Sequence, residues 1–263
     1  MDGCVRVGAT DDDRLDRSRR IEWLDLDAIA RARVLMVGAG ALGNEVGKCL
    51  ALSGFRHVTV VDMDHVVGSN LNRCLFFSTE DASARRPKAE VVAKGMRTLS
   101  PDMAVDPSVS RIEGVDDSIY KEHDIVLGCL DNIVARLHVN SRSYLAGRMY
   151  IDGGMEGLLG RVMVVRPPEG ACIQCGMNRS HARVANLRFS CTGRDVVFHE
   201  PRLAAEITTT SIVSALMVRE ALKHVSGKDD MLLSNTLYYD GQRNASEEAE
   251  VPVNPDCPVH GRP

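Results

Sequence analysis

Arg33-Val-Leu-Met-Val-Gly38-Ala-Gly40-Ala-Leu-Gly43 is an apolar run that ends in G-x-G-x-x-G, and His57-Val-Thr-Val-Val-Asp62 is a second apolar run that ends in an acid. The first reads as a buried strand and a glycine turn, with a helix over 43–52; the second reads as the next strand. Glycine permits the tight turn and lets backbone approach a phosphate, and the helix N-terminus turns unpaired N–H groups toward an anion. Asp62, 19 residues past Gly43, can accept hydrogen bonds from ribose hydroxyls. The pattern points to a nucleotide; the bland alternative is a tight βα turn that uses glycine for geometry alone.

Working outward, the alternation continues. Residues 87–99 read as a helix with proline at its start, where the missing N–H costs least. Strands are expected over 124–129, 149–153 and 161–166, with a helix over 132–146 between the first two. Strands alternating with helices imply parallel βαβ units in a doubly wound sheet. Residues 169–202 are rich in Gly, Cys, Arg and His and read as an extended segment, followed by a long helix over 203–224. Stretches 231–239 and 249–253 read as strands of an added, mostly antiparallel part. Residues 1–9 read as a loose tail and 10–31 as helical pieces, the first capped by Thr10.

Composition narrows the function classes. Among 263 residues, 44% are hydrophobic and 26% charged, which excludes a disordered or fibrous chain. The 32 basic and 36 acidic residues give a net charge of -4, no electrostatic case for nucleic acid as the main partner. No apolar stretch approaches the ~20 residues of a membrane span, and the Asp- and Arg-rich start is no signal peptide, so a cytoplasmic protein is expected. Eight cysteines in a large chain without an export signal argue against a disulfide framework. Cys49, Cys74 and Cys129 lie in apolar or helical settings and read as small core residues, while Cys4 is assigned nothing.

A dinucleotide oxidoreductase would fit the glycine loop, but the next segment argues against it. Val61-Asp-Met-Asp-His-Val-Val-Gly-Ser69-Asn70-Leu71-Asn72-Arg73 and Arg85-Arg-Pro-Lys88 set fixed cations just past the second strand and at the start of the following helix, suited to a triphosphate. Asp131-Asn132 follows the 124–129 strand, at the carboxyl edge where α/β ligands bind; a carboxylate there can hold Mg2+.

Gly38–Gly43, the Asp62-Met-Asp64 … Ser69–Arg73 run, Pro87-Lys88 and Leu130-Asp131-Asn132 resemble the ubiquitin-activating / ThiF–MoeB adenylating family, and the resemblance runs from about Leu15 to His260. Cys74 departs from it, since the family usually has glutamine after the arginine. The resemblance implies ATP bound at Gly38, Gly40, Ala41, Gly43, Asp62, Ser69, Asn70, Leu71, Asn72, Arg73, Lys88, Asp131 and Asn132, with Mg2+ on Asp131. It also maps Arg14-Leu-Asp-Arg17-Ser onto an element that supplies an arginine to the neighbouring subunit's ATP. Arg17 is the candidate finger, with Arg14 the other arginine of the element, and a homodimer is expected.

Cys172-Ile-Gln-Cys175 and Cys257-Pro-Val-His260 are two pairs with the same two-residue gap, and together they can complete a tetrahedral Cys3His zinc site across 81 intervening residues. A redox role for the C-x-x-C lacks any thioredoxin-like surroundings. The family often holds zinc at these points, usually with four cysteines. Cys191 lies in Phe189-Ser-Cys-Thr-Gly-Arg-Asp-Val-Val-Phe-His-Glu-Pro-Arg-Leu203, where Arg188 and Arg194 favour a thiolate. The Cys-Thr … Pro-Arg-Leu pattern looks like the catalytic-cysteine loop of eukaryotic activating enzymes, with His181 and His199 as candidate assistants.

These readings converge on a Rossmann-like, doubly wound, mostly parallel α/β sheet extended by antiparallel C-terminal strands and clasped by zinc. An N-terminal helical arm (1–32) would precede an ATP-binding adenylation domain (33–263) carrying the cysteine loop (about 176–202) and the C-terminal zinc knuckle. The expected activity is adenylation of the C-terminal glycine of a ubiquitin-like protein, then thioester formation on Cys191; a conjugating enzyme is a candidate partner, and the sequence leaves the fate of the acyl group open. The alternatives are a sulfur-carrier adenylyltransferase ending in a thiocarboxylate, and a non-catalytic scaffold, whose marker would be loss of Arg73, Lys88 or Asp131. All three are present.

Overall fold

Val34 and Met36 of strand β1 (Arg33–Val37) enter one hydrophobic core, and Leu35 and Val37 enter a second core on the opposite face; all four are buried. A strand alternates its side chains across the sheet, so an unbroken apolar run belongs in the middle of a sheet covered on both sides. β1 occupies that place in the computed structural model, which describes residues 13–177 and 204–260. Thr10, His181, Cys191 and His199 lie outside the described residues.

The eight strands run β3-β2-β1-β4-β5-β6-β7-β8 across one sheet. β2 (His57–Val61), β3 (Ala104–Ser108), β4 (Ile125–Gly128) and β5 (Met149–Glu156) continue the parallel part begun by β1. β6 (Leu159–Val165), β7 (Thr236–Asp240) and β8 (Ala245–Ala249) add the antiparallel extension. The first face is covered by α2 (Ala41–Ser53), α4 (Lys88–Leu99) and α7 (Ile207–Val225). The second is covered by α5 (Ser118–Lys121), α6 (Ile133–Leu145) and the residues around Cys257. Two short helices, α1 (Leu26–Arg31) and α3 (Thr79–Ser83), complete the set among the described residues. α2 stops at Gly54, whose φ of 99° is a left-handed conformation that glycine adopts without penalty. Among the described residues no helix is long and apolar enough to cross a membrane.

Two expectations are corrected. β3 was not anticipated, because Pro107 interrupts its pattern; the strand lies at the sheet edge, where a missing N–H is tolerated. The last strand is Ala245–Ala249 and not 249–253. Its residues are almost all exposed, so no apolar alternation marks them, and Pro252 cannot donate to a ladder in the stretch that looked stronger. The described part of the N-terminal arm holds one helix, α1, and a 3-10 turn at Ser18–Arg20. Segments this short need packing to stay helical, and only Ile29 of α1 is buried.

Candidate functional site

The chain leaves β1 for β2 and β3 on one side and returns through β4 to build the other side, so the sheet changes direction between β1 and β4. The crevice beyond the carboxyl ends of those strands is where open α/β sheets bind ligands. The glycine loop follows β1, Asp62 follows β2, and Asp131-Asn132 lies just past β4. Lys88 opens α4 beside Asp64.

Each glycine has its own reason. Gly38 has φ 100°, and a Cβ there would lie 2.4 Å from the Cys129 carbonyl oxygen. A Cβ on Gly43 would lie 2.1 Å from the Gly38 carbonyl oxygen. At Gly40 nothing lies within 4 Å of a Cβ, so the loop faces open space at the N-terminus of α2, where the unpaired N–H groups of a helix start suit a phosphate.

Asp62 is held by its backbone surroundings: Ala39 N–H donates to Oδ2 at 2.6 Å and Asp64 N–H to Oδ1 at 2.7 Å. Each carboxylate oxygen keeps a second acceptor site for a hydroxyl. Burial raises the Asp62 pKa above the ordinary carboxylate range, against the Ala39 N–H bond and the charge of Lys88. Lys88 Nζ donates to Asp64 Oδ2 at 2.8 Å. Burial works against the Lys88 charge, but the bond to Asp64 and the nearby Asp62 and Asp131 outweigh it and hold the ammonium above its usual pKa. Asp131 is exposed, and its charge is felt by both Lys88 and Arg136. Asn132 caps α6, its Oδ1 accepting the Ala135 N–H at 2.8 Å.

The Ser69–Arg73 segment forms a 3-10 turn and its continuation beside this crevice. Arg73 Nη1 donates to the Ser69 carbonyl at 2.7 Å and to Asn72 Oδ1 at 2.9 Å, and Asn70 Oδ1 accepts the Val67 N–H at 3.1 Å. Cys74 anchors the segment: it is buried, and burial pushes its thiol up to about 11.

Two features escaped sequence reasoning. Asn44 is fully buried on α2; its Nδ2 donates to the Ala39 and Gly40 carbonyls at 3.0 and 2.9 Å, and its Oδ1 accepts the Phe76 N–H at 2.9 Å. One amide thereby ties the glycine loop to the chain beyond Arg73. The available signal was a polar residue between the apolar Leu42 and Val46. Arg136, in the first turns of α6, donates to the Leu130 carbonyl beside Asp131 and to Asp152 Oδ2. Asp152 is fully buried and also accepts from Arg161 at 2.6 Å and from Tyr150 Oη at 2.8 Å. An acid inside an apolar strand was the sign of this network.

The N-terminal arginines lie elsewhere. Arg14 donates to the Leu99 carbonyl at 3.0 Å and to Ser100 Oγ at 3.1 Å, at the C-terminal end of α4 where the helix dipole favours a cation. Leu15 packs near Gly54, at the end of α2. Both helices start at the nucleotide loop side and run away from it for 12 and 13 residues, so the arm sits roughly 20 Å from its own chain's crevice. Arg17 is 68% exposed there, with Asp16 3.9 Å from its Nε.

Cys172, Cys175, Cys257 and His260 bring their ligand atoms within 4.8 Å of one another. Cys172 Sγ lies 3.9 Å from Cys175 Sγ and 3.6 Å from Cys257 Sγ, and Cys175 Sγ lies 3.2 Å from His260 Nε2. Four ligands about 2.3 Å from a tetrahedral ion stand about 3.8 Å apart, so three soft sulfurs and an imidazole at these separations fit zinc. Burial pushes the Cys172 thiol up to about 12. The two pairs come from the 3-10 turn Ile173–Gly176 and the turn around 257, and both pack on the core beneath α6.

A doubly wound α/β sheet with a glycine loop and acidic strand ends at its switch point defines the class of protein. The chain belongs to the ThiF family, which it matches over residues 14–259. The sulfur carrier protein adenylyltransferase of Thermus thermophilus is 32% identical over 241 residues, covering 89% of this chain and 84% of that one. The NEDD8-activating enzyme E1 catalytic subunit of Schizosaccharomyces pombe is 35% identical over 152 residues, covering 56% of this chain and 34% of that one. The Arabidopsis thaliana subunit of the same name is 37% identical over 158 residues, 54% of this chain and again 34% of that one. This chain thus spans about a third of those activating subunits. The structure of E. coli MccB with ATP has a TM-score of 0.76 over 96% of this chain and 75% of that one; at 20% identity the likeness is one of fold.

Proposed function

We propose that this chain is an ATP-dependent adenylyltransferase that activates the C-terminal glycine carboxylate of a ubiquitin-like protein and then carries it as a thioester on Cys191. The observation that carries the reading is the meeting of the glycine loop, Asp62, Lys88 and Asp131 at one crevice of a ThiF-family sheet. ATP would lie with its ribose on Asp62 and its phosphates over Gly38–Gly43, flanked by Arg73 and Lys88. Ser69, Asn70, Leu71, Asn72 and Asn132 would complete the cradle. A Mg2+ ion held by Asp131 would supply charge to the phosphate oxygens.

In the first step a carboxylate oxygen of the modifier attacks the α-phosphorus, and the α–β bridging bond breaks. Pyrophosphate leaves with the electron pair, and an acyl-adenylate remains. Fixed cations at Lys88 and Arg73 stabilise charge on the phosphates, and holding both reactants in one crevice removes much of the entropic barrier. In the second step the Cys191 thiolate attacks the acyl carbon; a C–S bond forms as the C–O bond to AMP breaks. A conjugating enzyme would receive the acyl group. We assign the remaining parts in the same reading: a homodimer in which Arg17 reaches the partner's phosphates, a structural zinc on Cys172, Cys175, Cys257 and His260, and a cytoplasmic setting in which thiols stay reduced.

The second reading, a sulfur-carrier adenylyltransferase, shares the first step and ends in a thiocarboxylate. Alignment with the Thermus thermophilus enzyme over most of both chains favours it. One experiment separates the two. Cys191→Ala should leave modifier-dependent pyrophosphate exchange into ATP nearly intact and abolish an adduct cleaved by reducing agent on a denaturing gel. Asp131→Ala should abolish exchange in a folded protein. If wild-type protein forms no such adduct, yet an added sulfur donor consumes the adenylate, the sulfur-carrier reading stands. Normal exchange in Asp131→Ala would remove that residue from the chemistry.

A further inference from the structure

Beneath the Cys3His cluster, α6 presents two polar side chains four residues apart, and so on one face. Asn140 is fully buried. Its Oδ1 accepts the N–H of Ile173, the residue after Cys172, at 3.0 Å, which fixes which end of the amide points where. The other end, Nδ2, is buried and has no hydrogen-bond partner among the described residues, sulfur included. Because Oδ1 is tied to the residue after Cys172, this unpartnered N–H lies beside the first cysteine of the cluster. A buried N–H without an acceptor is costly, and a neutral thiol relieves that cost poorly; a metal-bound thiolate relieves it well.

Tyr144 completes a second relay. Its hydroxyl donates to the Pro168 carbonyl, which can only accept, so the single phenolic proton is committed. The same oxygen lies 3.1 Å from His260 Nδ1, and the two rings are tilted at 42° to one another with centroids 4.6 Å apart. Toward the imidazole the phenol can therefore only accept, so Nδ1 carries the proton and Nε2 carries the lone pair. Nε2 is the nitrogen that points into the cluster, 3.2 Å from Cys175 Sγ.

We infer that Asn140 and Tyr144 are the outer shell of this metal centre: with metal bound, Asn140 turns its unpartnered N–H to the Cys172 thiolate, and Tyr144 accepts a hydrogen bond from the Nδ1–H of His260, leaving Nε2 as ligand. The inference rests on the reading of the cluster as a metal site. Outer-shell bonds of this kind orient ligands and tune their charge, and their loss weakens metal binding about 10–100-fold.

The full chain loaded with zinc supplies the test, through the rate of zinc transfer to a chromogenic chelator. The thiolate-to-metal charge-transfer band of the cobalt-substituted protein is the second readout. Asn140→Asp keeps the acceptor for Ile173 and the volume, but sets an oxygen against the sulfur. Tyr144→Phe removes one oxygen from a half-buried ring and leaves the fold intact. Each variant should release zinc about 10–100-fold faster, and Asn140→Asp should move the cobalt band to lower energy. A merely structural Asn140 would leave both readouts alone in Asn140→Asp, because the Ile173 bond survives. If wild type holds one zinc per chain and both variants match it in rate and spectrum, the outer shell is wrong while the metal reading stands. A wild type that binds neither zinc nor cobalt overturns both.

Discussion

Arg136 Nη1 and Asp152 Oδ2 meet at 2.6 Å inside the protein, the arginine on α6 and the aspartate on β5, with side chains 12% and 0% exposed. The same guanidinium holds the Leu130 carbonyl, one residue before Asp131. A buried ion pair thus sets the turn that carries the candidate metal-binding carboxylate. Removing one partner of such a pair strands the other charge away from water. Asp152→Ala, which leaves both Arg136 and Arg161 without their carboxylate, should lower the free energy of unfolding in urea by about 3–5 kcal/mol. A variant as stable as wild type would show that the guanidiniums find water instead.

Metal and fold should be linked at the Cys3His cluster, because its ligands come together only in the folded chain. Metal analysis should find one zinc per chain, and a strong chelator should lower the thermal midpoint. Cys257→Ala should unfold at the chelated midpoint and respond no further to chelator. Zinc-free protein, or a Cys257→Ala variant with the wild-type midpoint, would contradict the clasp.

Arg14 and Leu15 sit at the far ends of α4 and α2 from their own crevice and Arg17 follows within three residues, so a finger role for Arg17 calls for another subunit's phosphates. Arg17→Ala and Asp131→Ala chains should each be inactive in pyrophosphate exchange. Mixed after denaturation and refolding, they should recover activity, since one of the two sites in a mixed dimer keeps both residues. No recovery, or full wild-type activity from a monomer at high dilution, would remove Arg17 from this role.

Glu206 caps α7, its carboxylate accepting the N–H groups of Thr208 and Thr209. The Thr209 and Thr208 bonds hold its pKa at about 2, below the ordinary 4.5. A carboxyl depressed by folding adds stability above its unfolded pKa, and that increment disappears as pH falls through the folded one. The gap in urea midpoint between wild type and Glu206→Gln should therefore be full at pH 7, shrink below pH 4.5 and vanish near pH 2. Solvent screening of this exposed group keeps the effect small. A gap that does not change with pH would show that the cap acts through geometry and not charge.

The parts of this protein legible in its sequence are those whose signal is local. The apolar runs at Val34–Val37 and Val58–Val61, the glycines between strand and helix, and Asp62 at a strand end report a βαβ start within about 30 residues, because strand period, turn chemistry and capping are short-range. The two C-x-x-C/H pairs were legible for the same reason: each is one turn of chain. The edge strands were not. β3 contains a proline, and β8 is exposed along its length, so each exists because a neighbour supplies the ladder, and neither carries the alternation that burial imposes.

Tertiary structure alone decided which of these pieces meet. It brought Cys257 to 3.6 Å from Cys172 across a gap that sequence spacing leaves open. It spent Arg14 on the end of α4, though Arg14 and Arg17 stand three residues apart in one motif. It gave Asn44, Arg136, Asn140 and Tyr144 their work, each an ordinary helical residue until a neighbouring element supplies its partner. A buried amide or guanidinium must find its hydrogen bonds across space, and that requirement leaves no period or spacing along the chain. The sequence by itself determined the doubly wound sheet and the chemical types at its loop ends; packing determined which polar side chains hold those loops in register.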